Sequence, residues 1–514
     1  MITILDSTLR DGAQGEGVSF SVSDKIEILR TLASFGIPFI EAGNPSSNDK
    51  DRVFFDRVKT LPLKNSKVVA FGSTRRKNSP ARSDTGLLSL LTANTEYVSV
   101  FGKTSVLHVR EILGCTLKEN LDIISDSVQF LVSNGRQVFF DAEHFFDGFK
   151  EDKDYALACL RAAKRAGANT LVLCDTNGGS FPFEVSAITA EVVKTLGTAV
   201  GIHCHNDTGC AVANTIAAVL SGAAQVQGTF VGIGERTGNA ALSTVIGDLQ
   251  GRLDIRCVPD LSRLTDTARR VAELSNIALP NRQPFVGRSA FAHKGGMHAD
   301  GVRKLPRSFE HIEPSLIGND RSFPLSEMSG KSAVLAKLRH IYPDLAKNDL
   351  VVQKILNKVK SLENDGFQFE AADASFELLV LKEKGEFTPH FEIADYKIIS
   401  TQQTGGGFAL ASASVKVKVG DDFEITADEG DGPVNAIDKA LRKALAKFYP
   451  KITQMRLTDY KVRVVDTVSS TAATTRVLIE STDGTNVWTT VGASKDIICA
   501  SILALADSVE YLLI

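Results

Sequence analysis

The stretch "VGIHCHNDTG", Val200 to Gly209, places two of the chain's nine histidines two residues apart inside a short apolar run. The run has the length and character of a strand and is closed by turn residues. On a strand, residues i and i+2 point to the same face, so His203 and His205 project together. Cys204 faces the other way, into packing. Two imidazoles side by side suit one metal ion, although a pair of hydrogen-bonded core histidines would read the same locally. A third ligand has to come from elsewhere in the chain.

Working outward, the same strand-then-polar-turn pattern recurs. Strand-like runs are "ITILDST" (2–8), "IPFIEAG" (37–43), "KVVAFG" (67–72), "YVSVFG" (97–102), "QVFFDAE" (137–143), "TLVLCDT" (170–176), "AVGIHCH" (199–205) and "AQVQGTFVG" (224–232). Helical patterns separate them, such as "SVSDKIEILRTLASFG", with Ser23 expected as cap, and "DYALACLRAAKRAGA", stopped by Gly167. Eight β-then-α units in about 250 residues match a TIM (β/α)8 barrel, an α/β fold. A doubly wound open sheet is the alternative, but no strand–GxGxxG–helix fingerprint supports it. Barrel chemistry gathers at the C-terminal strand ends. There the chain carries Arg10–Asp11, Glu41, Asn44, Asp141, Glu143, Asp175–Thr176–Asn177, His203, His205, Asn206, Glu235 and Asn239.

The predicted domains are a catalytic barrel over 1–255, helical linker subdomains over 256–385, and an α+β regulatory domain over 386–514. The middle region is helical in "DLSRLTDTARRVAELSN", "LSEMSGKSAVLAKLRHIY" and "KNDLVVQKILNKVKSLE". Between the first two, "FAHKGGMHADG" (291–301) reads as a loop. The last region contains a duplication at an offset of 64: "DYK" at 395–397 and 459–461, Thr426 on Thr490 and Ala436 on Ala500. Each copy reads as strands followed by one helix. Before the first of these helices, "DEGDGP" (428–433) offers a Gly-rich turn suited to a carboxylate at a helix N-terminus.

Bulk properties exclude several classes. A net charge of −3, from 58 basic and 61 acidic residues, leaves no basic block for nucleic acid or a membrane surface. No apolar run approaches the ~20 residues of a membrane span. The opening "MITILDSTLRDG" lacks the n-region and apolar core of a signal peptide. Seven scattered cysteines without CxxC spacing suit a reducing cytoplasm.

The third ligand is Asp11. Strands 1 and 7 of a barrel lie two positions apart, so Asp11, His203 and His205 can share one divalent ion, with Asn239 as a fourth oxygen. Mixed imidazole and carboxylate donors fit Zn, Mn or Mg. Such an ion polarises a carbonyl, and Arg10 beside it would stabilise an oxyanion or enolate. Alternatively, Asp11 is a turn residue and Arg10 a rim ion-pair partner.

"DSTLRDGAQ", "GIHCHND", "CDTNGG", "GIGERTGNA" and "AFAHKGGMHADG" together resemble the DRE-TIM metallolyase family, in its Claisen-condensing branch. "EGDGPVNA" resembles that branch's C-terminal regulatory domain, so the likeness covers nearly the whole chain. "FGSTRRK", "VSVFGKT", "DAEHFFDGFK" and "RLTDYKVRV" look most like the type that joins acetyl-CoA to pyruvate, giving citramalate for isoleucine biosynthesis. An enzyme using 2-ketoisovalerate for leucine biosynthesis is the runner-up, and a lyase running the reverse cleavage the alternative class. A non-catalytic amino-acid sensor is the non-enzyme alternative.

The resemblance implies Asp11, His203, His205 and, more weakly, Asn239 as metal ligands. It implies Arg10 and Thr176 as substrate-binding, and Arg10, Glu143 and His298 as catalytic, with His298 deprotonating acetyl-CoA. His293 is expected to be structural. It also implies a homodimer or larger oligomer and a feedback amino acid. The signature departs from D-R-E: Gly12 follows Asp11, and no acid appears before Glu16. Where relatives place a tyrosine near the histidine, this chain has Phe309.

Overall fold

The computed structural model describes residues 2–323, 338, 342, 349–401, 410–465, 473–484 and 486–514. They divide into two compact units, residues 1–291 with 311–321, and 292–310 with 322–514.

In the first unit eight parallel strands close on themselves in sequence order: β1 (Thr3–Asp6), β2 (Phe39–Glu41), β3 (Lys67–Ser73), β4 (Tyr97–Lys103), β5 (Gln137–Glu143), β6 (Thr170–Asp175), β7 (Val200–Cys204) and β8 (Gln225–Gly228). β1 closes the ring by pairing Thr3 with Gln225 through Asp6 with Gly228. The expected (β/α)8 barrel is thus present, with each strand within the run read from the sequence except β3 and β4, which run one residue further, to Ser73 and Lys103. Helices pack around it because their apolar stripes match the strands' outer faces. The helix Val22–Phe35, for example, buries Ile28, Leu29, Leu32 and Phe35. Its cap is Ser21 and not Ser23. Ser21 accepts from the Asp24 N–H while the Asp24 side chain accepts from the Ser21 N–H, a reciprocal pair that fixes the start two residues earlier.

The barrel interior changes character along its length. Leu5, Phe39, Val69, Tyr97 and Phe139 form a separate apolar cluster inside the ring. Two residues further along the same strands, on the same face, stand Ser7, Glu41, Phe71, Ser99 and Asp141. The apolar plug therefore floors a polar mouth at the C-terminal strand ends.

In the second unit the duplication is structural. β9 (Glu392–Thr401), β10 (Leu410–Val419) and β11 (Asp422–Gly430) form one antiparallel sheet. β12 (Arg456–Val464), β13 (Thr475–Thr482) and β14 (Val487–Ser494) form the other, with the middle strand central in both. Each sheet is followed by a helix, Pro433–Ala446 and Ile497–Leu513. The two copies repeat one detail: Thr426 Oγ1 donates to the Ala440 carbonyl and Thr490 Oγ1 to the Ala504 carbonyl, each at 2.7 Å.

The segment 291–301 is not all loop. Gly295 caps a helix over Gly296–Lys304, and the Ala299 N–H donates to the Gly295 carbonyl. Its glycines lower helix propensity, but burial of Ala299 and Val302 outweighs that. The helix expected over 325–342 lies outside the described residues except at Leu338 and Tyr342. The following one spans Leu350–Asn364. Among the described residues no helix is long and apolar enough to cross a membrane.

Candidate active site

The turn after β1 carries Arg10 and Asp11 into the barrel mouth, with the Arg10 and Gly12 N–H groups donating back to the Ser7 carbonyl. Arg10 is fixed on three sides. Its Nε donates to Glu41 Oε2 at 2.7 Å, its Nη1 donates to Asp11 Oδ2 at 2.9 Å, and its guanidinium lies 3.9 Å from the Phe71 ring centre. Ser7 Oγ donates to the same Glu41 oxygen at 2.6 Å. The acid that completes this arginine's setting therefore comes from β2, 31 residues away, and not from the text after Asp11. No local sequence signal links them; the only hint was Glu41's place at a strand end.

Asp11, His203 and His205 converge as the sequence suggested. Their nearest ligand atoms lie within 4.8 Å of one another. Asp11 Oδ2 is 3.6 Å from His203 Nε2 and 3.8 Å from His205 Nε2, and the two Nε2 atoms are 3.4 Å apart. Asn239 joins them, donating from Nδ2 to Asp11 Oδ1 at 3.0 Å, while its Oδ1 is buried without a hydrogen-bond partner. The loop that brings Asn239 there requires glycine at 234, since a Cβ at that position would collide with the Asn239 amide.

Electrostatics favour the ligand form of each group. Burial opposes the charge on Asp11, yet Arg10, the two histidines and the Asn239 hydrogen bond hold its carboxyl well below the usual range. Burial pushes His203 down to about 4, against the pull of Asp11. Burial and the neighbouring His203 do the same to His205, again to about 4. A carboxylate and two neutral imidazoles, with nitrogens facing one point, are what a divalent ion requires. The donor set fits such an ion, with open positions left for substrate.

Around this cluster lies a cavity of about 200 Å³ lined by Arg10, Asp11, Phe71, Phe101, Asp141, Glu143, Thr176, His203 and His205, among others. Phe71 and Phe101 stack at 5.4 Å. Glu143 Oε2 is 2.5 Å from Lys103 Nζ. Thr176 Oγ1 accepts from the His144 N–H at 2.8 Å. Asp141, noted in the sequence only as a strand-end acid, accepts from Gln227 Nε2 at 3.1 Å. Burial and the Glu41 charge push its carboxyl up to about 7. Lys103, Phe71 and Phe101 stand near strand ends inside the motifs "VSVFGKT" and "FGSTRRK", but nothing in the sequence gave them an individual role. A second cavity of about 360 Å³ shares Arg10, Gln14 and Phe71 with the first.

His298 belongs to the second unit. It is exposed on the helix Gly296–Lys304, and its ring stacks on Phe309 at 4.3 Å. An aromatic ring thus does accompany the histidine, without a hydroxyl. His293 is buried and its Nε2 lies 2.9 Å from Glu310 Oε1, a structural pairing.

Comparison with known proteins finds likeness along nearly the whole chain. Residues 1–271 match the HMGL-like family. Residues 285–366 match the homocitrate synthase post-HMGL domain-like family, and residues 370–513 the LeuA allosteric (dimerisation) domain. The chain is 46% identical to an (R)-citramalate synthase of Aquifex aeolicus, over 99% of this chain and 97% of that protein. It is 47% identical to an (R)-citramalate synthase of Synechocystis sp., over 99% and 95%. A 2-isopropylmalate synthase of Methanocaldococcus jannaschii is 29% identical, over 100% and 95%. With its barrel, its cluster of one carboxylate and two imidazoles and its duplicated C-terminal domain, the chain belongs to the HMGL-like family, in the group that carries a LeuA allosteric domain.

Proposed function

We propose that the protein condenses acetyl-CoA with pyruvate and water, giving (R)-citramalate and free CoA, as a cytoplasmic step of isoleucine biosynthesis. The observation that carries this reading is the full-length likeness to (R)-citramalate synthases, well above that to a 2-isopropylmalate synthase. The small cavity supports it, because the stacked Phe71 and Phe101 leave room for a short keto acid beside Arg10. The second cavity offers an approach for a thioester arm.

Asp11, His203, His205 and Asn239 would hold Mn, Mg or Zn, which when bound acts as a Lewis acid on the keto carbonyl. Arg10 makes two of its five N–H bonds within the protein, to Glu41 and Asp11. Arg10 also lines the cavity, where its remaining N–H groups would orient the keto acid and stabilise negative charge on its oxygen. The Thr176 hydroxyl binds the substrate carboxylate. His298 Nε2 or Nδ1 takes a proton from the acetyl methyl group, and the resulting carbon attacks the keto carbon. Glu143, held by Lys103, orders the proton transfers that accompany hydrolysis of the thioester. The C-terminal repeat would bind isoleucine as feedback effector and join two copies as a homodimer.

The test is thiol release and product identification with acetyl-CoA and a panel of keto acids. Pyruvate is expected to give the highest kcat/KM. A preference for 2-ketoisovalerate would transfer the protein to the isopropylmalate reaction, and no thiol release with any keto acid would defeat the condensation reading.

A further inference from the structure

Thr176 reaches the cavity through an unusual support. Its Oγ1 accepts the backbone N–H of His144 at 2.8 Å. A hydroxyl has one proton and two lone pairs. With a lone pair taken by that N–H, the proton remains available for another acceptor, and Thr176 lines the cavity. From the other direction Arg236 Nη2 fixes the Thr176 carbonyl at 2.7 Å.

The N–H that Thr176 accepts belongs to a residue in the left-handed backbone, His144 at φ 56° and ψ 36°. Among non-glycine residues it is mainly asparagine, aspartate and histidine that enter that region, and strain of this kind concentrates at functional sites. Here it falls one residue after Glu143, where β5 gives way to the helix Phe145–Glu151.

The His144 side chain is clamped. Its ring stacks on His108 at 3.8 Å and 14°. Its Nδ1 is 3.6 Å from Asp147 Oδ2, and that oxygen accepts from Asn177 Nδ2 at 2.8 Å. His108 sits in a single π-helical turn, His108–Ile112, that follows β4. Such turns are rare and often mark functional sites. Burial, then the nearby His144 and Lys103, lower the His108 pKa, with Glu143 and Asp147 opposing. The loops after β4, β5 and β6 thus meet at these two rings, and neither ring lines the cavity.

We propose that His144, clamped by its stack on His108, is a positioning residue that aims the Thr176 hydroxyl at the carboxylate of the bound keto acid. It rests on the condensation reading above and deepens it, since it assigns keto-acid affinity to a pair of side chains that never touch the substrate.

The experiment compares His144→Ala, His144→Asn, His108→Ala and Thr176→Val in the metal-loaded full-length protein. Pyruvate KM, acetyl-CoA KM and kcat are measured, with pyruvate affinity by calorimetry. His144→Ala is expected to raise pyruvate KM about tenfold, with kcat and acetyl-CoA KM within about twofold. His144→Asn, which tolerates the left-handed backbone but cannot stack on His108, should recover only part of that loss. In the Thr176→Val background, His144→Ala should add nothing further, because the two act through one hydroxyl.

The proposal is overturned if His144→Ala leaves pyruvate KM unchanged, if it shifts all three parameters together, or if its effect adds in full to that of Thr176→Val. Should His144→Ala not fold, His108→Ala decides: the same split, smaller in size, supports the clamp, and a parental pyruvate KM refutes it. The parent protein, assayed alongside, separates the two levels. Absent turnover with pyruvate in the parent defeats the condensation reading itself, whereas an active parent with unshifted variants defeats only the clamp.

Discussion

Arg10 Nε donates to Glu41 Oε2 across 2.7 Å, and the Glu41 side chain is fully buried. The other Glu41 oxygen has no hydrogen-bond partner. The carboxylate is therefore committed to holding the arginine. Removing its charge would leave a largely buried guanidinium balanced by Asp11 and, less strongly, by Asp141. Glu41→Gln is expected to lower unfolding free energy by ~3 kcal/mol and to raise pyruvate KM, because Arg10 loses its anchor. Denaturant unfolding and steady-state kinetics check this. A stability change within ~0.5 kcal/mol of the parent would mean that Asp11 and Asp141 suffice.

His203→Ala and His205→Ala should each fold and lose more than ~10²-fold in metal affinity, with turnover falling alongside. Metal content after dialysis and circular dichroism are the measurements. A variant lacking both imidazoles yet fully active would remove the metal from the mechanism.

His298→Asn should keep metal stoichiometry and keto-acid affinity while turnover drops by ~10²-fold, the scale of a lost general base. Loss of bound metal in this variant would reassign His298 from proton transfer to the metal centre.

The metal-free protein should be sensitive to mild acid. Unfolded histidine protonates near ~6.5, while burial keeps His203 and His205 neutral in the folded chain down to about 4. Between those values the unfolded chain binds more protons, so stability falls as pH drops from ~6.5 toward 4 and is retained above ~6.5. Thermal unfolding of the metal-free protein across this range checks it. The His203→Asn variant should give a flatter profile, and an unchanged slope would place the titration elsewhere.

Isoleucine should bind the intact chain and slow it, with a coupling of ~1–3 kcal/mol between the two sites. Gly430 abuts Asn435 Oδ1 and the Ala436 N–H so closely that a Cβ would meet them at 2.5 and 2.6 Å. Gly430→Ala should therefore blunt the response and leave basal turnover in place. Cutting the chain after residue 385 is a poorer test. Ser375, on the helix Asp373–Lys384, donates to Asp507 and accepts from the Val491 N–H, so the cut would strip cover from Phe376, Leu379 and Val380. Calorimetry showing no heat with isoleucine or leucine would leave the repeat without an effector role.

The barrel was legible because parallel strands buried on both faces read as short apolar runs, and because polar residues stand at the ends of six of the eight. The pair His203 and His205 was legible because a strand's period is two. What was not legible depends on contacts between distant segments. Glu41 meets Arg10 only when β2 lies beside β1. The left-handed turn at His144 leaves no mark in a text that reads "EHFF". The helix Gly296–Lys304 runs against its own glycines and stands on the burial of Ala299 and Val302. Ser23 looked like a cap because serine alone was weighed, when the reciprocal partner Asp24 selects Ser21.

The matched bonds from Thr426 to Ala440 and from Thr490 to Ala504 give the second unit an internal standard. The same lesion, threonine to valine, can be placed once in each copy at an equivalent point of strand and helix. Both changes remove one hydroxyl and keep the side-chain volume, so their local damage should be nearly equal. Any difference between them in effector response then measures how far duplicated halves of one ancestor have parted in duty.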